Sequence, residues 1–245
     1  MSKIQICGVA VDTLTANEAL EIALKEKKKD AKAVCTVFTP NALMLRACRR
    51  DPSLTSLLNQ ATLSLPDGAG VVMAARRKGT PLRERVSGID FGYALLERAE
   101  KEGLRVFFLG GRPGVAEEAA ERLRKRLPSL SVCGTHHGYF DATGEENRRI
   151  LERIRESRAE LLFVCLGFPR QERWTESNRS ELAGLRVIAC LGGSLDIWAG
   201  RQRRAPQILQ SLGCEWAWRM LREPRRLGGL PALIQFWVLS LLGRL

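Results

Sequence analysis

Three observations predict an α/β chain built on a Rossmann-like, doubly wound, mainly parallel sheet. Short runs that are apolar on both faces recur, as in Arg105–Leu109 (RVFFL), Leu161–Leu166 (LLFVCL) and Arg186–Leu191 (RVIACL). Amphipathic helical stretches separate them. Small and polar residues follow each run. Strands buried on both faces belong to parallel sheets covered by helices on both sides, and such sheets gather ligands beyond the carboxyl ends of their strands.

The elements follow in order. Ile4–Val11 alternates and reads as a strand or hairpin. Thr15-Ala16-Asn17-Glu18 is a capping box opening a helix that runs to about Lys28. Ala33–Phe38 is a buried strand running into Thr39-Pro40-Asn41, where Pro40 keeps Thr39 extended. A helical stretch to about Gln60 is broken near Asp51-Pro52. Thr62–Leu65 is a short strand ending in Pro66-Asp67-Gly68, followed by a helix to about Lys78. Next come a helix over Ile89–Gly103, the Arg105–Leu109 strand, a turn at Gly110-Gly111 and a helix over Pro113–Arg126. A strand at Leu130–Gly134, a helix at Gly144–Ser157, the Leu161–Leu166 strand, a helix at Arg170–Leu182 and the Arg186–Leu191 strand complete the alternation.

Composition narrows the class. Lys and Arg number 39 against 27 Asp and Glu, a formal charge of +12, and 45% of the 245 residues are hydrophobic. A chain of this size and make-up buries a real core, which excludes disorder as its main state. Seven cysteines, with no CxxC pair, argue against both a disulfide framework and a zinc site and fit a reducing cytoplasm. No signal peptide is expected at the N-terminus. The apolar run Leu230–Leu242 covers about 13 residues, short of the roughly 20 a membrane span needs.

From Arg201 the composition changes. The tail holds eight Arg against two Glu, together with Trp216, Trp218 and Trp237. A boundary near Arg201–Pro206 separates a core over residues 1–200 from a helical, basic and aromatic appendage over 201–245. Such a segment suits the membrane interface, with Trp at headgroup depth and Arg on anionic lipid; a helix packed on the core or on another subunit is the other reading.

Candidate chemistry sits after the strands. Asp67 is either a helix N-cap or a catalytic base. Gly110-Gly111 before a helix offers backbone N–H groups to a phosphate or forms a plain turn. Its spacing is not G-x-G-x-x-G, and no P-loop or G-x-S-x-G elbow occurs. Adjacent His136 and His137, if in a strand, point to opposite faces and make a poor metal pair. No paired-carboxylate D-x-D motif is present, so no metal ligand set is expected. Arg85 and the arginines of the tail are candidate phosphate partners. Gln171, Gly192 and Asp196 stand at two further strand ends.

Eight motifs occur in order. They are Thr39-Pro40-Asn41, Pro66-Asp67-Gly68, Arg85…Gly88-Ile89-Asp90, Phe108-Leu109-Gly110-Gly111, Gly138-Tyr139-Phe140, Leu166-Gly167-Phe168-Pro169-Arg170-Gln171-Glu172-Arg173-Trp174, Gly192-Gly193…Asp196…Arg204-Ala205-Pro206, and Glu215-Trp216…Arg219…Arg226. From about Ile4 to Arg226 this chain resembles the WecG/TagA/CpsF family of bacterial glycosyltransferases. The resemblance implies a GT-E type core and inverting transfer of an N-acetylmannosamine-type sugar, or its uronic acid, from a UDP donor. The implied acceptor is a polyprenyl-diphosphate-linked N-acetylglucosamine at the inner face of the cell membrane, for wall teichoic acid or other surface polysaccharide.

It also implies Asp67 as general base and Thr39 as a second catalytic group, with Asn41, Arg85 and Gln171 lining the pocket. Gly110, Gly111, Gly192 and Asp196 join the substrate-binding set, and the appendage brings in Arg219 and Arg226. Leu195, where many members have Phe, and Ala42-Leu43, where Pro-Glu is frequent, are departures that bear on pocket shape. No cofactor and no nucleic-acid partner are expected; homo-oligomerisation is left open. The alternative on the same fold is a nucleotide-cofactor-dependent oxidoreductase or methyltransferase.

Overall fold

A computed structural model of the chain describes residues 2–25, 34–211, 213–222 and 224–244, without the side chains of Arg219 and of residues 224–226. It begins with a hairpin of β1 (Lys3–Ile6) and β2 (Val9–Asp12). Cys7 and Gly8 at its tip both have positive φ, the backbone that two-residue hairpin turns require. Helix α1 (Ala16–Leu24) starts at the reciprocal capping box of Thr15 and Glu18. The predicted extension to Lys28 lies outside the described residues.

Six parallel strands form the main sheet: β3 (Cys35–Phe38), β4 (Leu63–Ser64), β5 (Val106–Gly110), β6 (Val132–His136), β7 (Leu161–Cys165) and β8 (Val187–Cys190). Their order across the sheet is β4-β3-β8-β7-β5-β6. The expected doubly wound architecture is therefore present. Between the strands run α2 (Ala42–Cys48), α3 (Pro52–Leu58), α4 (Ala69–Arg77), α5 (Gly88–Glu102), α6 (Val115–Arg126), α7 (Glu145–Glu156), α8 (Arg170–Ser177) and α9 (Ser194–Trp198). The tail adds α10 (Gln207–Ser211), α11 (Glu215–Arg222), a 3-10 turn (Pro224–Gly229) and α12 (Leu230–Leu241).

The sheet divides the core into two layers. On one face α1, α5, α6 and α9 pack over Val37, Val106, Phe108, Phe163 and Ala189. On the other the hairpin, α2, α3, α4, α7 and α8 pack over Phe38, Phe107, Leu162, Val164 and Ile188. Fully burying one such side chain stabilises the fold by about 1.5–3 kcal/mol. The tail joins this second layer through Met220, Leu233 and Phe236, and Phe236 is wholly buried. Among the described residues no helix is long and apolar enough to cross a membrane.

Two boundaries differ from expectation. β6 lies two residues later than predicted and ends at His136. β6 also carries a register shift beside Phe107, after which Phe107 pairs with Gly134. A side chain at Gly134 would run into the Phe107 ring, which the pattern of apolar residues does not reveal. Helix α8 stops at Ser177 rather than Leu182, because Asn178 turns its side-chain amide back onto the Trp174 carbonyl (2.7 Å).

Candidate active site

The connection after β3 goes to α2 on one face of the sheet, and the connection after β8 goes to α9 on the other. Connections that diverge between neighbouring strands open a crevice at their carboxyl ends. Thr39 sits in it, buried directly after β3. Its hydroxyl donates to the Cys190 carbonyl at the end of β8 (3.4 Å). The start of α5 packs onto Thr39 at Gly88, where a Cβ would lie 3.1 Å from the hydroxyl oxygen.

Backbone hydrogen bonds stitch the neighbouring loops together. The Asp67 N–H donates to the Pro40 carbonyl (3.1 Å), and the Val86 N–H to the Pro66 carbonyl (3.1 Å). This brings the ends of β3 and β4 and the segment entering α5 to one place. The N-cap of α4 is Gly68, at φ +92°, and not Asp67. Asp67 is half-buried and faces a cavity of about 290 Å³.

That cavity gathers three of the predicted residues, Asn41, Asp67 and Arg85. Asn41 is also the cap of α2, its Oδ1 accepting the amides of Leu43 (3.0 Å) and Met44 (3.2 Å). The opposite wall comes from the tail and is largely apolar: Trp216, Met220, Leu233 and Trp237, with Glu215 beside them. A carboxylate and a guanidinium thus face an aromatic and aliphatic wall.

Thr39, Gly110, Gly111, Gln171, Gly192 and Asp196 do not line this cavity; they lie at the ends of β3, β5, β7 and β8. Gln171 is buried, and its Oε1 accepts the amides of Gly167 (3.3 Å) and Gly192 (3.0 Å). It ties the β7 and β8 loops together. The Gly111 N–H donates to the Cys165 carbonyl (3.3 Å), and a Cβ at Gly110 would lie 2.3 Å from that oxygen. Close packing therefore accounts for these two glycines. Gly192, at φ +57°, borders open space, and Asp196 lies half-buried in the first turn of α9. The side chains of Arg219 and Arg226 lie outside the described residues.

Several residues of the site were not singled out by the sequence. Glu172 is completely buried, and its Oε1 accepts from the Gln171 side-chain amide (2.8 Å). Burial pushes its carboxyl up to about 7, and the Gln171 hydrogen bond works against that shift. Arg204 joins Asp90 on α5 to Glu215 on α11 (Nε–Oε1, 3.4 Å). The only early sign of these contacts was their presence inside the ordered motifs.

His136 and His137 would diverge only if both lay in a strand, and His137 lies outside β6. His136 ends β6, the chain bends at Gly138, and the two rings lie 4.4 Å apart. With Glu146 they form the one cluster of three metal-ligating side chains among the described residues, away from the cavity.

A family model described as "Glycosyl transferase WecG/TagA/CpsF family" matches residues 4–245. The chain belongs to the WecG/TagA/CpsF family. It is therefore a glycosyltransferase. Two curated relatives from Staphylococcus aureus, of strains MW2 and MRSA252, are each 32% identical over 232 residues, covering 95% of this chain and 89% of the relative. Both are named N-acetylglucosaminyldiphosphoundecaprenol N-acetyl-beta-D-mannosaminyltransferase. The family motifs meet in space: the first three surround the cavity, and the β7 and β8 motifs join through Gln171.

Proposed function

We propose that this glycosyltransferase moves an N-acetylmannosamine-type sugar from a UDP donor to a polyprenyl-diphosphate-linked N-acetylglucosamine, with inversion. The names of the relatives support the sugar and the acceptor. The observation that carries the reading is the cavity that puts Asp67 and Arg85 opposite an apolar wall supplied by the tail. A lipid-linked sugar needs such a site, polar at the reacting end and apolar beside it.

In this reading the Asp67 carboxylate takes the proton of the acceptor hydroxyl as its oxygen attacks the anomeric carbon. The bond from that carbon to the diphosphate oxygen breaks, and UDP leaves with the electron pair. Arg85, with Arg219 and Arg226 from the tail, offsets the charge that develops on the diphosphate. Thr39, buried in the crevice, is the second catalytic group. Gly110, Gly111, Gln171, Gly192 and Asp196 form the nucleotide side, with Asn41 at the mouth of the cavity.

The segment from Arg201 is assigned as a membrane-associating appendage on a core of residues 1–200. Three observations support this: its excess of Arg, the exposed Ile234, Val238 and Leu241 on α12, and the place of Leu233 and Trp237 in the cavity wall. The enzyme then works as a peripheral protein at the inner face of the cell membrane, in the synthesis of a surface polymer such as wall teichoic acid.

The test is UDP release from UDP-N-acetylmannosamine with a lipid-diphosphate N-acetylglucosamine acceptor, in EDTA. Release that depends on acceptor is expected, because side-chain cations neutralise the leaving group in this reading. Release only after Mg2+ is restored would overturn the metal-free mechanism. Retained UDP binding without release would move the donor to another UDP-sugar.

A further inference from the structure

The chain has only two histidines, and both stand at the end of β6 on the edge of the sheet. The His136 Nδ1–H donates to the His137 carbonyl (2.8 Å). A carbonyl can only accept, so this bond fixes the tautomer and leaves Nε2 with a free lone pair. Such a bond from the second ring nitrogen to a carbonyl is how metal-bound histidines are usually oriented. The His137 ring lies beside it, and its Nδ1 takes only a long contact from the Tyr139 amide (3.3 Å). Glu146, exposed in the first turn of α7, brings a carboxylate to the same spot.

We propose that His136, His137 and Glu146 form a binding site for a divalent transition-metal ion of the Zn2+ type. Their ligand atoms lie within 4.8 Å of one another. A tetrahedral ion with bonds of about 2.1 Å sets its ligand atoms about 3.4 Å apart. Binding draws the three ligand atoms together by rotation of their side chains. Two imidazoles and one carboxylate select Zn2+, Co2+ or Ni2+ over Mg2+ and Ca2+, which take oxygen ligands. The fourth position is left to water.

The loop that carries the histidines is already fixed. The Gly138 N–H donates to the Gly111 carbonyl (2.8 Å), and the Arg170 guanidinium donates to the Phe140 carbonyl (2.7 Å) and lies over the Phe140 ring. Binding therefore needs little ordering of the backbone. The site also lies away from the Asp67 cavity, although its loop meets Gly111 on the proposed nucleotide side. β6 and β4 are opposite edges of the sheet. At about 4.8 Å per strand their separation is about 24 Å, so an ion here does not touch Asp67. Its presence or absence leaves the reading of the cavity unchanged.

The experiment titrates the full chain with ZnSO4 and with MgCl2 by calorimetry, and with CoCl2 by visible absorption. The wild type is compared with the His136→Gln/His137→Gln double variant and with Glu146→Gln. Expected are one Zn2+ per chain in the micromolar range, no saturable Mg2+ binding, and a tetrahedral Co2+ spectrum without thiolate charge transfer. The double variant and Glu146→Gln each weaken binding by about tenfold or more, with melting temperatures unchanged in the absence of metal. Equal affinity in the variants, a thiolate band placing the ion on cysteine, or no saturable Zn2+ binding would each overturn the site.

Discussion

Arg204 grips Asp90 with two parallel hydrogen bonds, the Nη2–Oδ2 one measuring 2.6 Å, and turns its Nε toward Glu215. One guanidinium thereby joins the segment leaving the core, the first turn of α5 and the first turn of α11. Glu215 and the adjacent Trp216 both line the cavity. The ion pair therefore sets where the tail wall stands relative to Asp67 and Arg85.

Replacing Arg204 by Leu tests that role. Asp90 is half-exposed, so solvent screens much of the pair and its loss costs only about 1 kcal/mol of stability. The displaced wall is expected to lower kcat/KM for a lipid-linked acceptor by about tenfold, with UDP affinity unchanged. Thermal melting, UDP titration and initial rates on one preparation check this. A lowered melt with unchanged rates would make the pair a purely structural clasp.

Asp67→Asn keeps the size of the side chain and removes the base. Because Gly68 is the N-cap of α4, no helix cap is lost with it. The melt is expected to be unchanged, while kcat falls by about 10²–10⁴-fold. Turnover near the wild-type value in a folded variant would rule out Asp67 as the base.

Glu172 gives a pH signature. Its carboxyl is pushed up to about 7 in the folded chain from an ordinary value of 4.5, so the native state holds this proton more tightly than the unfolded one. The stability linked to this group is fully present below about 4.5, falls as pH rises toward 7, and is flat above. Over that window the loss is about 3 kcal/mol. Glu172→Gln keeps an oxygen that accepts from Gln171 and cannot ionise. Its stability relative to wild type should therefore be greater at pH 8 than at pH 4.5, read as the difference between two denaturant midpoints.

Much of this architecture was legible because the β5, β7 and β8 strands are apolar on both faces, a pattern that surface strands do not show. The resemblance named Asn41, Asp67 and Arg85 together, each in a loop beside a carboxyl strand end or a helix start, and one cavity gathers the three. What stayed hidden depends on pairing at long range. Asp90 and Arg204 are 114 positions apart, and no local pattern links them. The register shift of β6 at Phe107, where Gly134 stands opposite the ring, leaves no mark in the apolar pattern. Glu172 stands in the first turn of a helix, and only long-range packing seals its carboxyl from water.

Helix α12 divides its surface three ways. Phe236 is wholly buried, Leu233 and Trp237 face the cavity, and Ile234, Val238 and Leu241 are exposed. The exposed three recur at i, i+4 and i+7, which puts them on one face. Twelve residues of helix reach about 18 Å, too short to span a bilayer but long enough to lie in its surface. Cutting the tail away would uncover the layer that Phe236 seals, so substitution on the exposed face is the sharper test. A triple Ile234→Gln, Val238→Gln, Leu241→Gln variant removes apolar side chains worth about 1.5–3 kcal/mol each on insertion. Binding to anionic vesicles in a flotation assay should fall by more than about tenfold, and activity on vesicle-borne acceptor with it. Activity on a water-soluble acceptor should hold. Unchanged vesicle binding would show that α12 does not meet the membrane through this face.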